Sequence, residues 1–252
     1  MRIFVALLAA CVASVAFWSS LDQPLSAPDW KGEIRGLAYS PSGLYSESSK
    51  DNDVTDEMIR RDLAQLSKMT GRIRTYTVDY NQDRVPYIAR EFGMKVSLGL
   101  WLRGDKTYNE GEIARAIKVI ADNPGTIDRV FVGNEAVGVR AELTAREVSD
   151  YIKRVKAAIG NPAVQVGTAE VWPTWLTEPE LAEGADFLKT STGKTAQGAT
   201  LDAAREMLAA IAAHPRATQV GFKASGGVRT VADAAGFVAL ARELLGVRAL
   251  NP

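Results

Sequence analysis

Two lysines end short apolar runs late in this 252-residue chain. The first stands in Asp186-Phe-Leu-Lys189-Thr-Ser-Thr-Gly193-Lys194 and the second in Gly221-Phe-Lys223-Ala-Ser-Gly-Gly227. A lysine amine attacks a carbonyl only when deprotonated, and burial or a second cation nearby depresses its pKa. If both runs are strands and parallel neighbours, the two lysines lie roughly 5–8 Å apart, because paired strands are about 4.8 Å apart. The pair predicts Schiff-base chemistry, with Lys189 as the nucleophile and Lys223 as the perturbing charge. Gly193, Lys194, Gly226 and Gly227 follow the two runs. Small residues there let backbone N–H groups approach an anion such as phosphate.

A second constellation lies earlier, at Val132-Gly-Asn134-Glu135. Glycoside hydrolysis needs a proton donor beside the scissile oxygen and a second carboxylate as nucleophile or base. Glu135 suits the donor, and Asn134 is placed to hydrogen-bond a sugar hydroxyl. Glu170 ends the next apolar run, on what would be the same rim. Trp101, Trp172 and Trp175 follow neighbouring runs and offer flat faces for sugar rings.

These residues need a scaffold that brings strand ends together. From residue 34 onward, β-rich runs alternate with helical patterns. Strands are predicted at Ile34–Ser40, Arg72–Val78, Lys95–Leu102, Asp128–Asn134, Val164–Glu170, Ala185–Ser191 and Gln219–Lys223. Helices are predicted at Asp56–Met69, Arg84–Phe92, from the Asn109-x-x-Glu112 cap to Ala121, behind the Thr144/Glu147 capping box, and from Thr177-x-Pro-Glu180. Two more are predicted at Leu201–Ala213 and from Thr230-x-x-Asp233 to Leu245. Strands separated by helices favour a parallel α/β sheet. Seven such units with chemistry at the strand ends predict a TIM (β/α)8-type barrel whose eighth strand is missing. The expected organisation is a segment 1–21, a linker 22–33 and a single barrel-like domain 34–252.

Composition narrows the function classes. Hydrophobic residues make up 46% and charged residues 24%, as in a folded protein, and the net charge is zero. No basic patch with interleaved aromatics points to nucleic acid. With one cysteine, Cys11, neither an intrachain disulfide nor a cysteine zinc site is available. A Ser-His-Asp triad would have to use the one histidine, His214, beside Pro215 in a predicted surface loop. No metal or cofactor is expected. Arg2 precedes an uncharged run from Ile3 to Leu21, which reads as a signal peptide or membrane anchor. That run predicts a membrane-anchored or exported protein, whereas a phosphorylated aldehyde substrate fits the cytoplasm.

Residues 1–185 resemble glycoside hydrolase family 17, in its bacterial membrane-anchored branch. The marks are Arg35-Gly-Leu-Ala-Tyr-Ser-Pro41, Arg74-Thr-Tyr76, Val132-Gly-Asn-Glu135 and Thr168-Ala-Glu-Val-Trp172. The resemblance implies a barrel, a β-glucan oligosaccharide substrate, and Glu135 as acid/base. It also implies a nucleophilic glutamate at the end of the seventh strand, where this chain has Lys223. Residues 181–246 resemble the C-terminal third of deoxyribose-phosphate aldolase. That resemblance implies Lys189 as the Schiff-base lysine, Lys223 as its perturbing partner, and Gly193, Lys194, Gly226 and Gly227 in a phosphate site. The aldolase's strand-eight phosphate loop and strand-three relay acid have no counterpart here. Units one to five (34–185) are thus glucanase-like, and units six and seven (186–252) aldolase-like. The leading expectation is residual class I aldolase activity on a phosphorylated sugar aldehyde. Glucan hydrolysis or transglycosylation at Glu135 stands second, and a non-catalytic glycan-binding or inert barrel third.

Overall fold

Short runs, most of them apolar, and longer amphipathic runs resolve into seven strands and seven helices among the described residues between 34 and 246. The computed structural model describes residues 14, 34–41, 54–183, 185–189, 199–213, 217–218, 220–224, 228 and 230–246. The elements are β1 (Leu37–Ala38), α1 (Asp56–Leu66), β2 (Arg72–Arg74), α2 (Val85–Glu91), β3 (Lys95–Leu100), α3 (Lys106–Asp122) and β4 (Ile127–Asn134). They continue with α4 (Ala145–Ile159), β5 (Gln165–Ala169), α5 (Trp172–Thr177), β6 (Phe187–Lys189), α6 (Leu201–Ala213), β7 (Gly221–Lys223) and α7 (Val231–Leu245).

Strands β1 to β5 form one parallel sheet in chain order, and β6 pairs with β7 in parallel. Asp186 joins the two sheets. Its N–H donates to the Val166 carbonyl at 2.9 Å, and its side chain accepts from the Val166 N–H at 2.9 Å. The strand order therefore runs without a break in sequence from β1 to β7, as in a TIM-type α/β barrel. No eighth strand occurs among the described residues.

The period-2 alternation of each strand separates two cores. Outward-facing Ile73, Val130 and Val166 pack with Leu63, Ile152 and Met207 of the helices in one large cluster. Burying each such side chain contributes about 1.5–3 kcal/mol. The second cluster is small: Phe131, Ala169 and Phe187, with the two rings edge-to-face at 5.1 Å. Phe131 and Phe187 alternate with those outward residues and so mark the inner face. Glycine is required at position 99, where a Cβ would sit 2.3 Å from the Thr75 carbonyl oxygen.

Helix ends follow their local chemistry. Thr144 and Glu147 form the expected capping box on α4, as do Thr230 and Asp233 on α7. Each is worth about 1 kcal/mol. Three expectations are corrected. Helix α3 starts at Lys106, capped by the Asp105 side chain, because Asn109 and Glu112 are buried and serve loops elsewhere. Asn109 accepts from the Arg103 N–H and donates to the Arg103 carbonyl. The helix expected from Thr177 instead ends there: α5 starts at Trp172, and Pro179–Ala182 forms only a 3-10 turn. The membrane-anchored or exported location is corrected as well. Among the described residues no helix is long and apolar enough to cross a membrane. Apart from Ser14, segment 1–21 and linker 22–33 lie outside the described residues, as do residues 247–252.

Candidate active site

Strand β4 ends in a local irregularity that sets Glu135. Its register with β5 shifts between Phe131 and Asn134, Gly133 has φ +87°, and Glu135 itself has φ +54°. A bulge re-aims side chains, and a left-handed conformation at a non-glycine residue costs about 1–3 kcal/mol. Glu135 is buried, its N–H donates to the Ala169 carbonyl at 2.7 Å, and its Oε1 has no hydrogen-bonding partner among the described residues. Asn134 is also buried, and its Oδ1 accepts from Arg74 Nη2 at 2.8 Å.

Glu170 follows β5 and is fully buried. Its two oxygens accept from the N–H groups of Val137 (2.9 Å) and Gly138 (3.2 Å), which ties down the loop after Glu135. Burial raises the Glu170 carboxyl above its ordinary range and the Glu135 charge adds to this, while the backbone donors oppose it.

Lys189 ends β6 with only 6% of its surface exposed, a rare state for lysine. Its register partner on β7 is Lys223. Burial first, then the positive charges of Arg74 and Lys223, push the Lys189 ammonium down to about 7, with Glu135 pulling the other way. Lys223 is exposed, for among the described residues no strand pairs with the outer edge of β7. Its ammonium is also held below the usual range, by loss of water and by the guanidinium groups of Arg74, Arg129 and Arg72. Exposure makes that effect weaker than at Lys189.

Arg74 is the residue whose role sequence reasoning missed. Its guanidinium lies 4.1 Å from the Phe131 ring centroid and 4.9 Å from that of Tyr76, and its Nε is buried without a partner among the described residues. Burial holds its pKa below the ordinary arginine value, although a guanidinium stays charged at any working pH. The signal was the alternation Arg72-Ile-Arg74, which puts two cations on one face of a strand.

Lys189, Lys223, Glu135, Asn134, Glu170 and Arg74 therefore belong to the C-terminal strand ends of one barrel. Trp175 does not serve as a sugar platform. It is buried, and its indole N–H donates to the Lys189 carbonyl at 3.0 Å. Trp101 has the Arg140 guanidinium 4.2 Å from its ring centroid. Trp172 opens α5, with its side chain outside the described residues, and Gly193, Lys194, Gly226, Gly227 and His214 lie outside them too. Among the described residues no group of three or more His, Cys, Asp or Glu is arranged to hold a metal ion.

Two families meet in this barrel. Residues 36–191 match the BtgE/BtgC glycoside hydrolase domain, and residues 178–247 match the DeoC/LacD family of aldolases. The matches overlap over 178–191, the stretch that holds β6. Among solved structures, the fold is similar to the glycoside hydrolase family 17 β-1,3-glucanosyltransferase of Rhizomucor miehei. The identity is 22%, over 74% of this chain and 69% of that one, with a TM-score of 0.59. An active-site mutant of that enzyme in complex with laminaritriose is 23% identical over 75% and 69%, with a TM-score of 0.59. An aldolase, QR15, is 17% identical over 82% of this chain and 86% of that one, with a TM-score of 0.53. At these identities the likeness is one of fold.

Proposed function

For a chain that belongs to the BtgE/BtgC glycoside hydrolase family through residues 36–191, we propose that the working group is nonetheless the Lys189 amine. It forms Schiff bases with carbonyl substrates, as in a class I aldolase. The observation that carries this reading is a buried lysine whose pKa is pushed to about 7. At neutral pH about half of such an amine is unprotonated, against well under one part in a thousand for an ordinary lysine at about 10.4. Lys223 and Arg74 act through charge: each disfavours the ammonium form. Turnover of deoxyribose phosphate is expected to be slow, because strand three, Lys95–Leu100, supplies no relay acid.

The test is reductive trapping. The protein is incubated with acetaldehyde or glyceraldehyde-3-phosphate and borohydride, and peptides are read by mass spectrometry. Lys189 is expected to be labelled well ahead of Lys118, whose side chain is 74% exposed. Equal labelling would sink the reading.

A second reading is favoured by Glu135. A buried carboxylate in a left-handed conformation, with one oxygen unpartnered among the described residues, fits a sugar site formed with Asn134. The ligand class would be a β-glucan oligosaccharide. Hydrolysis requires a second carboxylate, and β7 ends in Lys223 instead. Binding with little cleavage is the expected behaviour, checked by titration with laminaritriose.

A further inference from the structure

Joining the two half-barrels puts Arg74, from β2, into the same interior as Lys189, from β6. The inner face connects them. The Arg74 guanidinium lies over the Phe131 ring at 4.1 Å, and Phe131 meets the Phe187 ring at 5.1 Å. Phe187 stands two residues before Lys189, on the same face of β6. Asn134 holds one edge of the guanidinium through Nη2 at 2.8 Å, while Nε keeps a buried donor with no partner among the described residues. A fixed, desolvated guanidinium with an unused N–H is a carboxylate receptor. An unmade hydrogen bond at a buried donor is costly, so a ligand that completes it gains more than a surface contact would give.

From this juxtaposition, and resting on Schiff-base chemistry at Lys189, we infer that the site selects short 2-oxo acids, with the substrate carboxylate on Arg74 and the adjacent keto carbon at Lys189. In a 2-oxo acid these two groups are directly bonded, so one small ligand presents both at once to two side chains that share the inner face with the packed Phe131 and Phe187 rings. A simple aldehyde offers Arg74 nothing. The Lys189 amine adds to the keto carbon, the C–O bond breaks, and the oxygen leaves as water with one proton from the amine nitrogen and one from the medium. The product is a protonated imine, and hydride from added borohydride reduces it to a secondary amine.

Trapping with pyruvate is compared with trapping by acetaldehyde, each reported as labelling at Lys189 relative to Lys118, so that intrinsic reactivity cancels. We expect pyruvate to give the higher ratio by about ten- to a hundredfold, the range of one hydrogen bond to a charged group. Propionate should suppress acetaldehyde labelling at Lys189, and propionamide should not. This arm uses the unaltered chain, so it stands even if substitution of Arg74 harms folding. In Arg74→Met the pyruvate preference should vanish. Comparing two reagents at one site removes any effect of the substitution on the amine's own pKa. Equal ratios in the unaltered chain, no suppression by propionate, or a preference that survives Arg74→Met would overturn the inference. Suppression by inorganic phosphate as strong as by propionate would overturn it too, in favour of a general anion site. Should neither reagent label Lys189 above Lys118, it is the Schiff-base reading itself that fails.

Discussion

Lys189 and Lys223 face each other across the β6–β7 pair, yet the cation that weighs most on Lys189 is Arg74, four strands earlier in the barrel. Removing either charge should raise the pH at which Lys189 becomes reactive. Arg74→Met should move the midpoint of acetaldehyde labelling upward by more than Lys223→Leu does. A change of one pH unit in that midpoint corresponds to about 1.4 kcal/mol. Labelling profiles between about pH 6 and about pH 10 measure both changes against the ordinary lysine value near 10.4. A larger effect from Lys223→Leu would reverse the assignment of the dominant charge.

The same lysine should make stability depend on pH. Its folded pKa, about 7, lies below the unfolded value of about 10.4. Between those values the unfolded chain binds more protons, so stability rises as pH rises through that window and is lost again as pH falls through about 7. Lys189→Met removes the dependence. Urea titrations should find the variant more stable by a few kcal/mol at about pH 6, at ~1.4 kcal/mol for each pH unit separating the folded and unfolded values. The gain should shrink towards about pH 10. A constant difference across that range would contradict the buried amine.

Glu112 ties together the loops that follow β2 and β3. It accepts from Thr77 Oγ1 at 2.6 Å, the Val78 N–H at 3.0 Å and the Trp101 N–H at 3.0 Å, and it is fully buried. Glu112→Ala leaves two backbone donors unpaired. The expected loss is about 3 kcal/mol or more, at about 1–3 kcal/mol per unsatisfied group, read by denaturant titration.

On the glycan side, laminaritriose should bind weakly, and Glu135→Gln should change that affinity. Cleavage should stay near background in the unaltered chain. Lys223→Glu restores a carboxylate to the end of β7, and sugar-product analysis should then find cleavage above that background. Efficient cleavage without the substitution would mean that another group serves as nucleophile.

How much of this was legible in the sequence depended on how local the cause was. The Thr144/Glu147 and Thr230/Asp233 boxes are local, and both helices start where those residues predict. Helix α6 matches its predicted span for the same reason. Asn109 and Glu112 have the spacing of a cap, but their partners are Arg103, Thr77, Val78 and Trp101, which periodicity does not encode. The pairing of Lys189 with Lys223 was legible because parallel strands of similar pattern fix register. Arg74 was not, since its meaning comes from Phe131, Asn134 and Lys189 on other strands. Trp175 misled, because an aromatic after a strand reads equally as a platform or as packing.

The bond from the Trp175 indole to the Lys189 carbonyl has an optical consequence. Emission from a buried indole shifts with the electric field across its ring. Imine formation replaces an amine that is about half neutral at pH 7 by a protonated imine on the very residue that the indole grips. Wavelength and intensity should therefore follow the covalent step in real time, without any attached dye. Removing the gripping ring by Trp175→Phe should silence that change while leaving the amine in place.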